Sequence, residues 1–520
     1  MTEINEGLRG QQRAVATSSF AVMQTMISVF IILVFLGFPG RLSLIIGNAA
    51  CTLIDYLSFG LQLFLVTLAS GDDMMSVKLI DLRPAYPIIY TYLIFVSSVS
   101  MMVTVDKKAE LITLLHLIAT VLYAIWMVER YDTRQLLEIV YCAQFIFFSI
   151  TVICIVVFPK VAMYKYEGAM TFGGLFKTKN EFGTQLAFGI LVQCILLRMR
   201  LQNHERLSWL FVGVLAGQFA LMLLSKNFGA IIIVFTYVGY IFLYSKMKKK
   251  RRLPLGIVFV GGTIGFLVFA LTILQWMEPI MTAVGKSVTL TGRVPLWQEC
   301  IDTMMEKNTL TGYGFEMFWR TPSAVKAFHS RFPENSWAAT TSSSMHNSVI
   351  ELWCNTGLLG VALYYLMYLV AEKGVSHLEE NQYLFCSSYI VMYTVRSLTE
   401  RQNDPGSFYM LFQFVVICLM LQGKYKHKIE IRKKARIYDQ AKDDHLRGVT
   451  RGVRATSDLA AFQKRFSNFA ETSSTPTIRP ARRNEPFQRK KSLLDENEKE
   501  NKLESLLREF DDDDNDDQMI

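Results

Sequence analysis

The sequence predicts an all-α protein that crosses a membrane about twelve times, with one large external loop holding short helices and a mostly disordered cytoplasmic tail. Three observations carry this. Half of the residues (51%) are apolar and only 19% are charged, against roughly a quarter charged in soluble domains. The mean hydropathy is positive, +0.27. Long apolar runs recur from Phe20 to Leu421, and the basic clusters sit at their ends.

Runs of this length suit helices, since about 20 apolar residues cross the hydrocarbon core. They lie near 20–39, 43–69, 87–105, 111–128, 137–158, 182–199, 207–224, 227–245, 254–275, 349–370, 383–398 and 407–422. The first, Phe20–Phe38, exceeds a signal peptide's apolar region and lacks a small-residue cleavage site, so it reads as a span. The second is long enough to hold a break near Gly60. Charge sets the orientation. Lys246–Arg252, Arg198–Arg206 and Lys424–Arg436 all face the cytoplasm if the N-terminus does. An even span count then places both termini on the cytoplasmic side. Pro159–Glu181 runs against the pattern, an external loop carrying Lys160, Lys165, Lys177 and Lys179. Either these cations serve a function or the count differs by one.

The membrane domain is residues 1–422, with its large external loop at 275–348. A loop of that length is binding, catalytic or disordered. This one holds Trp276, Trp297, Trp319 and Trp337, a composition that folds. Trp297, Cys300, Ile301, Met304 and Met305 recur at helical spacing, predicting an amphipathic helix over Leu296–Glu306 against the membrane or the bundle. Residues 423–520 form a tail that starts basic, turns Ser/Thr/Pro-rich and ends in an Asp run from 511 to 517. Its composition is that of a disordered segment. The basic start suits anionic lipid headgroups, and Leu503, Leu506, Leu507 and Phe510 share a helical face for a partner.

The eight cysteines are scattered without CxxC or other metal spacing and read as small core residues. No Walker loop and no DxD pair occur, so neither a nucleotide site nor a divalent-metal site is expected. The net charge of +9 lies beside the spans and does not imply nucleic acid. Of seven histidines only His329 and His346 are external on this topology. An imidazole there is either a loop residue or a proton acceptor near neutral pH. Arg293, Lys226 and Arg396 fall near the same membrane face, where a planar guanidinium suits a phosphate-bearing ligand. Asn347 and Ser348 are candidate helix caps. Asp55, an intramembrane carboxylate, is either a functional group or an interhelical hydrogen-bond partner.

LTGRVPLWQEC at 290–300, LTGYGFEMFW at 310–319 and MHNSVIELWCNTGLLG at 345–360 stand in order before a late span. This set resembles the O-antigen ligase and Wzy-type O-antigen polymerase superfamily. The His346–Gly357 spacing matches its His-x10-Gly pattern, GGLFKTKN at 173–180 resembles an Asn-ending family segment, and SKNFGA at 225–230 resembles its Ser-Arg-x-Gly segment. The family usually has Arg where this chain has Lys226, which keeps the charge and lacks the bidentate fork.

The resemblance implies a metal- and cofactor-independent membrane glycosyltransferase acting at the outer face on a polyprenyl diphosphate donor. Arg293, with Lys226, Arg396 and Lys179, would hold the diphosphate, and His346 would take the acceptor's proton. Asn180, Gly312, Tyr313, Gly314, Asn347, Gly357 and Gly360 would be structural. The implied partners are a lipid-linked donor, a glycan acceptor, membrane lipids and, for the tail, a chain-length regulator or cytoplasmic protein. Polymerisation of repeat units is the leading reading. Ligation to lipid A-core, a wall polymer or protein is the alternative, and a twelve-span transporter is the rival class, although no internal repeat relates the halves.

Overall fold

A computed structural model describes residues 2–37, 40–67, 85–166, 169–176, 178–247, 252–272, 293–322, 344–398, 400–401 and 404–425, with Trp276 and Pro279, and only the backbone of 2–18, 164–166 and 169. The chain divides into two units, Met1–Arg432 and Lys433–Ile520, and every described residue belongs to the first. His329, Trp337, Lys177 and the tail's apolar face at 503–510 lie outside the described residues.

The helices are α1 (Thr2–Phe35), the single turn α2 (Ser43–Ile46), α3 (Asn48–Thr67), α4 (Pro87–Val103), α5 (Lys107–Arg130), α6 (Thr133–Val157), the single turn α7 (Pro159–Ala162), α8 (Lys179–Gln202), α9 (Trp209–Leu224), α10 (Phe228–Lys246) and α11 (Leu255–Thr272). Then follow α12 (Arg293–Glu306), α13 (Ser348–Glu372), α14 (Glu380–Ser397) and α15 (Phe408–Tyr425). The described parts of the apolar runs are helical but for a few terminal residues, the run at 43–69 being divided between α2 and α3. Among the described residues, eight helices are long and apolar enough to cross a membrane: α3, α5, α6, α8, α10, α11, α13 and α15. Ser19–Phe35 of α1, α4 and α9 are apolar but shorter. α14 is the twelfth; most of its surface, Ser387, Ser388 and Arg396 included, is buried by neighbours. The chain is a multi-pass helical membrane protein.

Polar residues at the run boundaries start the helices. Asp106, Thr178, Ser208 and Asn227 cap α5, α8, α9 and α10, and Asp132 with Gln135 forms a capping box on α6. Inside the bundle, polar side chains pair across helices because hydrocarbon offers no other partner. Gln185 of α8 donates to Gln144 of α6 and Gln193 donates to Gln218 of α9, each at 2.8 Å. Gly189 lies between the two pairs, and a Cβ there would stand 2.7 Å from Gln218 Oε1.

Three details differ from the sequence reading. α3 passes unbroken through Gly60. The loop Pro159–Glu181 contains a small antiparallel hairpin, β1 (Met163–Tyr166) paired with β2 (Ala169–Phe172); four-residue strands are too short to show alternation. The amphipathic helix starts at Arg293, and Leu296, Trp297, Cys300 and Met304 are buried against Ala270 of α11 and Ile350 and Cys354 of α13, whereas Met305 is exposed. The bundle, not the lipid, takes its apolar face.

Candidate active site

Asn347 begins α13. Its side-chain oxygen accepts from the N–H groups of Val349 (3.0 Å) and Ile350 (3.1 Å), satisfying two donors that the first turn leaves open. Ser348, the other cap candidate, instead donates to the Glu400 carbonyl at 2.9 Å. The residue on the other side of His346 is clamped. Met345 is fully buried, its N–H donates to Glu351 at 2.7 Å, and its carbonyl accepts from the Trp297 indole at 2.8 Å. Between these two anchors His346 adopts a left-handed backbone, φ 50°. A non-glycine residue takes that conformation at a cost of about 1–2 kcal/mol, which the surrounding contacts must offset. The cap therefore belongs to Asn347, and the imidazole stands clear of it.

His346 Nδ1 lies 3.0 Å from Glu400 Oε2. The other carboxylate oxygen, Oε1, accepts from Asn180 at 3.2 Å and lies 3.4 Å from Arg293 Nη2. Three elements thus converge on one carboxylate: the starts of α13, α8 and α12 meet the link between α14 and α15. Burial alone would raise the Glu400 carboxyl; the hydrogen bond from His346 and the charges of Arg396 and Arg293 outweigh it and hold it at about 2. An ionised carboxylate only accepts, so Nδ1 carries the proton and the ring's lone pair sits on Nε2. This arrangement presents a base whose protonated form a carboxylate stabilises.

Arg396 is built in more deeply. Its guanidinium donates to Thr184 and to the Asn180 carbonyl (3.3 Å) and lies 4.6 Å over the Tyr409 ring. It joins the start of α8 to α14 and adds positive charge beside Glu400. Asn227 donates to the same Asn180 carbonyl at 2.9 Å. Lys226, one residue before it, is exposed with φ 54°, and Lys179 is half-buried beside Asn180. Among the described residues, no group of three or more His, Cys, Asp and Glu side chains is placed to hold a metal ion.

With the site in view, similarity to known proteins becomes informative. Residues 203–365 match the model of the O-antigen ligase family. The matched interval covers less than half of the chain. The chain is 24% identical over 217 residues to the exopolysaccharide production protein ExoQ of Rhizobium meliloti, an alignment covering 40% of this chain and 47% of that protein. The chain thus matches about half the length of this curated relative. The matched interval contains Lys226, Arg293, Gly312, Gly314, His346, Gly357 and Gly360, while Lys179, Asn180, Arg396 and Glu400 lie outside it.

The glycines of this interval explain how its loop is held. α13 is broken at Gly357 (φ 68°, ψ −179°). The segment before Tyr313 enters the break: Leu358 N–H donates to the Thr309 carbonyl (3.0 Å), Leu359 N–H to Leu310 (3.3 Å), and Tyr313 N–H to Cys354 (2.9 Å). A Cβ at Gly357 would stand 2.1 Å from the Leu310 carbonyl oxygen, and one at Gly312 (φ 69°) 2.7 Å from Gly357 N. Gly314 (φ 99°) allows the next turn to reach α5, where Phe315 N–H donates to Glu110 at 3.1 Å. Tyr313 is buried against Phe318. Gly360 packs on Thr356 one turn before it.

Sequence reading missed Glu400 and Arg401. Arg401 pairs with Glu316 (2.8 Å) and Asp404 (3.3 Å). Burial opposes its charge, but Glu316 and Asp404 more than offset that and raise it above the ordinary arginine value. The available signal was RSLTER at 396–401, where Arg396 ends one apolar run and Glu400 and Arg401 stand in the link to the next.

Glu400 also gives a pH prediction. A carboxyl depressed from its usual value near 4.5 to about 2 stabilises the fold above the usual value. That contribution, on the order of 3 kcal/mol, is lost as pH falls through the folded value. Glu400→Gln should therefore lower the melting temperature at pH 7 and remove most of the difference from wild type by about pH 2, measured by thermal unfolding in detergent across pH. A constant difference at all pH values would contradict the ionised assignment.

Proposed function

We propose that the chain is a membrane glycosyltransferase that moves a glycan from a polyprenyl diphosphate donor to an acceptor hydroxyl, polymerising repeat units of a surface polysaccharide. The observation that carries this reading is the joining of His346, Arg293 and Asn180 on the Glu400 carboxylate, at the loop end of the bundle and in a chain with a match to the O-antigen ligase family. His346 Nε2 takes the proton of the acceptor hydroxyl as its oxygen attacks the anomeric carbon. The bond from that carbon to the diphosphate breaks, and the electron pair leaves with the lipid diphosphate. Arg293, with Arg396, Lys179 and Lys226, neutralises the growing charge, an effect larger in the transition state than in the ground state. Glu400 orients the ring and stabilises the imidazolium, acting as a positioning residue.

The site faces the outer leaflet of the plasma membrane in this reading, with both termini cytoplasmic. Extension of a polymer is preferred to ligation because ExoQ is named for exopolysaccharide production. Restoration of polysaccharide in a strain lacking the gene tests the reading. Arg293→Ala should lose long chains at normal protein abundance, while Arg293→Lys should retain part of them because charge persists without the fork. Normal chain length in Arg293→Ala would remove Arg293 from the donor site. Transfer of one preassembled glycan to a non-glycan acceptor would favour the ligase alternative.

A further inference from the structure

A cavity of about 450 Å³ opens at the loop end of the bundle, between α1, α3 and α5 and the segment Asp404–Gly406. Two polar stripes face it. On α3, Asp55, Ser58 and Gln62 recur at one-turn spacing; on α5, Thr113, His116 and Thr120 do the same. The stripes are joined by a stack of Phe59 on His116, centroids 4.6 Å apart and planes 9° off parallel. Glu316 and Asp404, the carboxylates that hold Arg401, complete the wall. A helix with this many polar groups is expensive against lipid, so they face water or a polar ligand.

Ser58 and Gln62 are 2% and 5% exposed, and Ser58 Oγ and Gln62 Oε1 have no hydrogen-bond partner among the described residues. Buried polar atoms left unpaired are costly unless something binds them. The charge of the wall decides what. The described cavity lining has carboxyl groups and no Lys or Arg to bind a diphosphate, whereas the cations gather around Glu400. The two regions meet at one dipeptide, Glu400 bonded to His346 and Arg401 bonded to the cavity's carboxylates.

We propose that this cavity is the subsite for the acceptor glycan, taking an uncharged sugar whose hydroxyls donate to Asp55, Gln62 and Asp404. This rests on the transfer reading above. Donor anion and acceptor sugar are then separated by charge, with the attacking hydroxyl carried towards His346 from the acidic side. Sugar hydroxyls satisfy the unpaired oxygens, and the Phe59–His116 stack offers an apolar ring surface.

The test is protection of Ser58→Cys in the full chain in membrane vesicles. The site is labelled with an uncharged, water-soluble maleimide, and modification of that peptide is followed by mass spectrometry. A repeat-unit oligosaccharide hydrolysed from the producing cell's polysaccharide should slow labelling in proportion to occupancy, and inorganic pyrophosphate should not. A site closed to the reagent, no protection by the oligosaccharide, or protection by pyrophosphate would each overturn the proposal. A second variant, Gln62→Leu, should raise the acceptor KM about tenfold, the loss of one buried hydrogen bond, with donor KM and kcat unchanged. A rise in donor KM instead would also overturn it. Protection does not require turnover. Oligosaccharide protection of Ser58→Cys, beside a wild-type chain that transfers nothing, would therefore refute the transferase reading separately.

Discussion

His346→Ala is expected to abolish chain extension and leave the protein in the membrane at normal abundance. Removal of a general base lowers a rate by about 10²–10⁴-fold, enough to eliminate long polymers. The fold should lose only part of the stability that Glu400 contributes, because Arg293 and Arg396 still face that carboxylate and Asn347, not His346, caps α13. The backbone offers a sharper control. At φ 50° His346 is strained, and glycine is not. His346→Gly should therefore melt at or above the temperature of His346→Ala while being equally inactive. Activity in either variant would assign the proton transfer to another group. Retained activity in His346→Gly alone would make the left-handed turn, and not the imidazole, the functional element. Both outcomes are read from polymer length on gels beside membrane abundance.

Gly357→Ala is expected to have the largest effect on the fold. Its Cβ would meet the Leu310 carbonyl carbon at 2.2 Å and Thr311 N at 2.3 Å. These are backbone atoms and cannot swing aside. The conformation at Gly357 is itself one that glycine alone adopts readily. The three backbone hydrogen bonds that lock the loop into α13 would be lost together. A loss of about 3 kcal/mol or more follows. It should appear as reduced abundance or melting temperature, with transfer lost through displacement of the Gly312–Gly314 turn. Gly265→Ala is the matched control, a glycine on α11 where an added Cβ meets nothing within 4 Å. Equal stability of the two variants would contradict the interlocked loop.

Much of this architecture is legible in the sequence because apolar runs of span length have few alternatives to helix. Apolarity alone does not separate lipid-facing from protein-facing helices. α14 is a helix at the expected place, yet it is wrapped by neighbours. His346, Arg293 and the glycines could be singled out because they sit in ordered motifs within one segment. Glu400 could not, since it stands 54 residues beyond His346 and 107 beyond Arg293, and only the folded bundle brings them together. The same holds for the cavity. Asp55 stood out as a charge inside an apolar run, but Ser58 and Gln62 are unremarkable until α5 brings His116 opposite them. The knitting of 309–313 into α13 was invisible for another reason, because backbone-to-backbone bonds leave only their glycines in the sequence.

The most direct measurement is reconstitution of the purified chain in vesicles with a polyprenyl diphosphate-linked repeat unit. Released polyprenyl diphosphate and the glycosidic bonds formed are counted in the same reaction. Wild type should give the two in equal amounts and a ladder of products, and His346→Ala should give neither. Consumption of donor by His346→Ala at the wild-type rate would contradict His346 as the base. A wild-type chain that forms no glycosidic bond would contradict the transfer reaction itself.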